Sequence, residues 1–421
     1  TGMSKGIVNN IEGVTSSVLA CLEKSERLIG VRLDSVYASI SAPSLKCERS
    51  KGVVAINQTN NEITAEDMNR VIEAAQALSL PANYEVLHVI PINYRVDNQE
   101  DVKSPVGMSG IRLEVEVLIV QLLSNQVRNL SKAIKQAGLY INNIIIAPFA
   151  AAEAAITPRS KELGVALVNI GSLSTSLAVF EEGELLHAAV VPIGSDHITA
   201  DIAIGLRCSI NLAEKIKLEY GQANPDKVDK DEELDITSLI TPDNEVDEPM
   251  TVSMKYLSSI IEARVGEIFT KVDAELKKIN RSGMLPAGIV LVGGGAKLAG
   301  ITDLAKKNLR LPVCLGANRN VPSVVDKVND LSYLTALGLV AWGDHYSSIE
   351  EEDNIRHGFK PGHAVKKVKN WFGSLFLKEL QRNSCCVAVK IGLAIGLCIM
   401  LAFFSSNNCI SSSLRIKKGG P

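Results

Sequence analysis

Residues Gly288–Ile301 read G-I-V-L-V-G-G-G-A-K-L-A-G-I. A short apolar run, Ile289–Val292, meets three glycines and then a helix start. Glycine lacks a Cβ, so the backbone can turn sharply there and approach a ligand closely. A helix N-terminus aimed at such a turn offers N–H groups and positive potential to an anion. The stretch matches neither G-x-x-x-x-G-K-[ST] nor G-x-G-x-x-G, so a P-loop and a Rossmann turn are both poorly supported. The plain alternative is a strand-to-helix turn that merely needs glycine.

Val165–Phe180, V-A-L-V-N-I-G-S-L-S-T-S-L-A-V-F, works against that alternative. Two apolar segments, Val165–Val168 and Leu177–Phe180, flank a small polar centre, which predicts a β-hairpin. Its turn carries Gly171, Ser172, Ser174 and Thr175, whose N–H groups and hydroxyls can wrap a phosphate. A hairpin with a polar turn followed later by strand, Gly293-Gly294-Gly295 and helix resembles the actin/Hsp70/sugar-kinase group.

Three longer blocks narrow the resemblance. They are Gly194–Gly221 (G-S-D-H-I-T-A-D-I-A-I-G-L-R-C-S-I-N-L-A-E-K-I-K-L-E-Y-G), Val102–Val120 (V-K-S-P-V-G-M-S-G-I-R-L-E-V-E-V-L-I-V) and His88–Tyr94 (H-V-I-P-I-N-Y). Together they resemble the bacterial cell-division FtsA family, from about Lys5 to about Trp342 and again at Trp371–Phe376. The resemblance implies an α/β, actin/Hsp70-like two-lobed fold carrying the family's inserted 1C (SHS2) domain. It implies ATP in the cleft, held by Gly171, Ser172, Ser174, Thr175, Gly293, Gly294, Gly295 and Lys297. Glu214 and Lys217, an E-x-x-K pair on one face of a helix over Asn211–Tyr220, would reach the ribose and adenine. A solvent-facing ion pair is the plainer reading of that spacing.

The cradle departs from the family pattern D-[IL]-G-G-G-T-T-D. Asn169 stands at the first aspartate, Ser172 and Leu173 replace glycines, and Ser176 replaces the last aspartate. An amide does not bring the charge a carboxylate brings to Mg²⁺, so metal binding is in doubt. An opening strand with the family's D-x-G-[ST] turn is also missing before the helical pattern at Ile11–Leu28. The sequence reads as cut after that hairpin, with loss of half the site as the alternative.

Composition fits a globular body. The chain has 421 residues, 46% hydrophobic and 22% charged, enough for two to four domains. A net charge of −3 and the lack of a basic patch interleaved with aromatics argue against nucleic acid. The eight cysteines include no C-x-x-C pair, and Cys21, Cys47, Cys208 and Cys314 are scattered, which suits buried thiols in a reducing cytoplasm. The first apolar material is short and broken, so no signal peptide is expected. Asp196 and Asp201 are the acids nearest the cleft. Asp196 reads as the N-cap of a helix over Ile198–Leu206, and no catalytic or metal-ligating set emerges.

Strands are expected at Val36–Ile40, Gly52–Ile56, Val86–Ile90 and Gly110–Val120, with a helix at Thr64–Ala77 opened by Thr64 and Asp67, a near capping box. A helix is expected at Ser124–Ala137 and a long one at Met254–Ile279. Ala147–Ala155 and Thr335–Val340 are rich in small residues and read as helices that cross closely at the cleft. By resemblance the parts are 1–33 remaining subdomain 1A, 34–116 inserted 1C, 117–163 subdomain 1A, 164–221 subdomain 2A, 222–287 subdomain 2B, and 288–346 elements of 2A and closing 1A. Subdomain 2B is where the family captures the C-terminal peptide of FtsZ.

Past a linker at 347–364, with acids Glu350–Asp353, comes an amphipathic stretch at 365–380. Val368, Trp371, Phe372, Leu375 and Phe376 share a face, and Lys367 belongs with the lysines that flank it. That pattern predicts a helix lying in the membrane interface; docking onto its own body is the alternative. Cys385–Phe404 is about twenty residues with a single charge, Lys390, long enough to span a bilayer; a translated stretch foreign to the protein is the alternative reading.

The whole reads as an actin-like scaffold, not an enzyme, at the cytoplasmic face of the cell membrane at the division site. It is peripheral, or single-pass if the tail spans. Its partners are FtsZ, its own copies, lipid and other divisome proteins. The alternatives are a slow ATPase or phosphotransferase of the same superfamily, and a pilus-assembly actin-like adaptor without the insert.

Overall fold

The computed structural model describes residues 2–56, 61–77, 81–229, 231–236, 251–321 and 329–344. A small hairpin, β1 (Met3–Ser4) and β2 (Ile7–Val8), precedes α1 (Ile11–Ile29). Asn10 caps α1 by accepting the Gly13 N–H at 3.1 Å, and Gly30 at φ 72° closes it. The chain then enters β3 (Ser35–Ile40).

An inserted unit follows, made of β4 (Lys46–Ala55), α2 (Ala65–Ala77), β5 (Tyr84–Val96), β6 (Gln99–Val102) and β7 (Arg112–Leu123). Its antiparallel sheet has the order β4-β7-β5-β6. β5 is much longer than the expected Val86–Ile90 because it pairs with β7 from Tyr84 to Val96. The helix start matches its reading: Thr64 Oγ1 accepts the Asp67 N–H at 3.3 Å, and Asp67 Oδ2 accepts the Thr64 N–H at 3.0 Å. One sheet face packs on α2 through Val71, Ile72, Leu113, Val115 and Val117.

From β7 the chain returns through α3 (Ser124–Gln136) to β8 (Tyr140–Ile146), which lies parallel to β3. α4 (Ala147–Ala155) and α5 (Pro158–Leu163) lead into the second lobe. There β9 (Val165–Ile170), β10 (Thr175–Glu181) and β11 (Glu184–Val191) form a meander, followed by α6 (Ser195–Leu206) and α7 (Ile210–Tyr220). A short pair, β12 (Glu233–Asp235) and β13 (Thr251–Ser253), introduces α8 (Met254–Lys278). β14 (Ile289–Val292), α9 (Ile301–Leu309) and β15 (Val313–Leu315) complete a five-stranded sheet of order β11-β10-β9-β14-β15. Asp201 is spent holding this lobe together: its two oxygens accept from Arg264 Nε and Nη2 at 2.6 and 2.9 Å, joining α6 to α8. Of the scattered cysteines, Cys314 on edge strand β15 is exposed, contrary to the expectation of buried thiols.

The small-residue stretches cross as expected. Residues 334–344 are helical, and a Cβ on Gly338 would stand 1.7 Å from the Ala150 carbonyl oxygen. The crossing carries an aromatic cluster, with Phe149 and Trp342 ring centroids 5.0 Å apart and His88 of β5 6.2 Å from Trp342. The insert also leans on the second lobe. Leu87, Leu118 and Val120 share a core with Leu185, Ala188 and Val190 of β11, and Cys47 Sγ donates to the Ala188 carbonyl at 3.3 Å. The linker 347–364, the amphipathic residues Lys367, Val368, Trp371, Phe372, Leu375 and Phe376, and the apolar tail 385–404 all lie outside the described residues.

Gly338→Ala is expected to cost about 1–3 kcal/mol or more, because backbone cannot yield as a side chain does. Gly266→Ala, whose Cβ would meet only Asn308 Nδ2 at 3.7 Å inside α8, is expected to gain about 0.5–1 kcal/mol. Urea unfolding of the two variants beside the parent checks both signs.

Candidate nucleotide cleft

Parallel pairing of β9 with β14 sets Val292 opposite Asn169, so the hairpin turn and the glycine turn emerge at the same sheet end. The glycines are needed there for different reasons. Gly293 has φ 89°, and a Cβ on it would meet Asn169 Oδ1 at 2.4 Å and the Ile170 carbonyl oxygen at 2.5 Å. A Cβ on Gly295 would meet Ile170 Cγ2 at 2.5 Å, whereas Gly294 has only Ser332 Oγ nearby, at 3.6 Å. Gly293 and Gly295 therefore serve close packing on β9, and of the three only Gly294 has room for a side chain.

The expected helix start after the glycines is displaced. Gly294–Lys297 is a single 3-10 turn, and α9 begins only at Ile301, so no α-helix N-terminus points at Gly293. The Gly293 N–H is donated to the Leu331 carbonyl at 3.1 Å, which ties this turn to the closing segment.

The hairpin turn is braced from behind. Its carbonyls at Gly171 and Ser172 accept the Ser195 and Asp196 N–H groups at 2.9 and 2.8 Å. Gly194 is the N-cap of α6, in place of the expected Asp196, which sits in the first turn. The reason is steric: a Cβ at 194 would lie 2.5 Å from both of those carbonyl oxygens. His197 Nδ1 accepts the Gly194 N–H at 3.1 Å and completes the cap. Thr175 is buried and donates its hydroxyl to the Ile193 carbonyl at 2.8 Å.

A narrow cleft of about 20 Å³ joins the two turns. Gly171, Ser174, Gly293 and Gly294 line it, as read from the sequence. So do Ser176 of the cradle pattern, Ala147 and Thr335 from the two small-residue helices, and Ser41 and Ser332, which sequence reasoning did not place at the site. The polar start of the T-A-L-G-L-V segment was the available signal for Thr335. Asn169 also lines the cleft, donating from Nδ2 to Thr335 Oγ1 at 3.3 Å.

Glu214 and Lys217 are not part of this lining, nor do they form the solvent-facing pair their spacing suggested. Lys217 is buried and donates to Glu214 at 2.6 Å, to Thr199 Oγ1 at 2.7 Å and to the Ser195 carbonyl at 3.3 Å. The network pins α7 to the first turn of α6, directly behind the hairpin turn. Lys297 is engaged too, in an ion pair with Asp330 at 2.5 Å. Burial pushes the Asp196 carboxyl above its usual range, with Lys217 pulling the other way.

The sequence profile of "Cell division protein FtsA" matches residues 166–338, and that of "SHS2 domain inserted in FTSA" matches 43–121. The Pseudomonas aeruginosa Cell division protein FtsA is 37% identical over 342 residues, which is 81% of this chain and 80% of that protein. The chain belongs to the FtsA family of cell division proteins. The family's Bacillus subtilis member is 34% identical over 87% of this chain and 80% of its own length. Its Escherichia coli K12 member is 31% identical over 89% of this chain and 90% of its own length. The solved PilM-PilN type IV pilus biogenesis complex shares the fold, with TM-score 0.58 and 17% identity over 82% of this chain and 88% of that one. That likeness is one of fold alone; the choice of FtsA over a pilus adaptor rests on the sequence relatives and the insert's profile.

Removing the Lys217 ammonium leaves Glu214 and Thr199 under-bonded, so Lys217→Met is expected to lose about 1–3 kcal/mol. Adding Glu214→Gln should recover part of that loss in a double-mutant cycle by chemical denaturation. Asp196 has a raised folded-state pKa, so its contribution is fully present below the unfolded carboxylate value and is lost as pH rises through the folded value. Asp196→Asn is accordingly expected to be more stable than the parent at pH 7, the difference closing below about pH 3.9 in a pH series of melting curves.

Proposed function

We propose that this chain is a bivalent scaffold of the division machinery, linking FtsZ polymers to the cytoplasmic membrane at the division site. The observation that carries this is the match to FtsA relatives over 81–89% of the chain, insert included. In this reading residues 222–287 form the subdomain that holds the C-terminal peptide of FtsZ, and the stretch 365–380 holds lipid through Trp371, Phe372, Leu375 and Phe376. Self-association multiplies such weak anchors, because linked sites act at high effective concentration.

ATP would occupy the cleft between Gly171, Ser174, Gly293 and Gly294. Ligand pockets usually measure several hundred Å³, so the lobes must part to admit a nucleotide into a space of about 20 Å³. Binding would thereby be linked to lobe angle, and lobe angle to contacts between copies. The residues present do not fit a magnesium ion well. Asn169 replaces a carboxylate and spends its amide on Thr335, and no group of three or more metal-binding side chains occurs among the described residues. The role proposed for nucleotide is conformational.

The test is liposome co-sedimentation of the chain ending at Leu380, with and without Trp371→Glu and Phe372→Glu. Binding that the two charges abolish, by tenfold or more, supports the interfacial anchor. No binding by either protein overturns it and moves any membrane role to 385–404.

A further inference from the structure

Outside the cleft, a groove of about 810 Å³ lies where α3 faces the start of β5. Its α3 wall carries Arg128, Lys132 and Lys135. These positions follow one helical face, with steps of about 6 and 4.5 Å along the axis. All three side chains are exposed, and none has an ion-pair or hydrogen-bond partner among the described residues. Elsewhere several cations do face a carboxylate: Arg264, Arg281, Lys277 and Lys297 each have one within 2.7 Å. Three unneutralised cations on one ridge repel one another.

A fourth cation adds to the field, since Lys46 Nζ stands 4.6 Å over the Tyr84 ring, and Tyr84 lines the groove. The floor offers more than charge. Val127 supplies an apolar contact, while Ser131 and Gln136 supply groups that can bond a peptide backbone. Glu85 stands on the strand wall. A continuous run of phosphates would meet that carboxylate, whereas a peptide can place an N–H or a small residue there. In an extended peptide, alternate side chains on one side recur at about 6.6 Å, close to the Arg128–Lys132 step.

We propose that this groove is a docking site for an acidic, extended peptide segment of a partner protein, read by Arg128, Lys132 and Lys135 and seated against Tyr84. The site is independent of the nucleotide cleft and of the membrane anchor.

The test is fluorescence anisotropy on the full chain with a labelled Glu-Ala repeat decapeptide, run beside its Lys-Ala counterpart, a ten-nucleotide oligo-dT and vesicles of phosphatidylglycerol. Saturable binding of the Glu-Ala peptide, and not of the Lys-Ala peptide or oligo-dT, is expected, while any vesicle binding through 365–380 should be indifferent to the substitutions below. Peptide binding should weaken at least tenfold in Arg128→Glu/Lys132→Glu and fall steeply between 50 and 300 mM salt, roughly as paired charges are screened. The milder Arg128→Gln/Lys132→Gln/Lys135→Gln set should weaken binding while leaving the melting curve unchanged, which separates lost docking from lost folding. No saturable binding, or binding indifferent to these substitutions, overturns the proposal. Tighter binding of oligo-dT or vesicles through the same residues overturns it as well, since the ridge would then serve a different class of partner.

Discussion

The backbone approach of Gly293 to Asn169 and Ile170 is the constraint on which the cleft depends. Parallel strands β9 and β14 bring two turns to one sheet end, but a side chain at 293 would force them apart. With glycine there, the second turn lies flat on the first strand. The Leu331 carbonyl can then take the Gly293 N–H, and Thr335 can take the Asn169 amide. The closing helix at 334–344 is thus registered on the second lobe before it crosses α4 of the first. The narrowness of the cleft follows from the same contact, because both lobes are drawn toward one turn.

Behind the cleft a second layer of polar contacts fixes what the first leaves loose. The hairpin turn points its carbonyls backward into the start of α6, and α6 is in turn pinned by Lys217. Lysine buried beside a carboxylate is costly to desolvate, so such a network is weak evidence for stability in itself. Its value here is geometric: it holds the turn's orientation against a helix that also carries the Asp201–Arg264 pair.

Much of the fold was legible in the sequence because it is carried by local signals. Alternating and apolar runs marked β3, β9 and β14, and the spacing of Leu257, Ile261, Val265 and Ile268 marked α8, where all four are buried. The Thr64–Asp67 cap was readable for the same reason. The site was read less well. Ser41 reaches the cleft only through tertiary folding, with no local pattern to announce it, and small-residue composition brought Ala147 and Thr335 to the cleft without saying that they line it. Lys217 misled because i, i+3 spacing says which face a pair shares, not whether another helix covers that face. Asp196 misled because a good capping residue lost its place to a glycine demanded by two carbonyls outside the helix.

The lean of the insert on β11 has a consequence for how this protein varies. β11 is shared property: one side of it packs within the second lobe, and the other joins, through Leu185, Ala188 and Val190, the core that Leu87, Leu118 and Val120 of the insert also enter. A bulkier residue at 188 would displace Cys47, and a smaller one would open a gap between units that are far apart in the chain. Substitutions on β4 and β11 are therefore tied as a lock and its key are tied, and grafting the insert of one homologue onto the body of another succeeds only when its receiving strand travels with it.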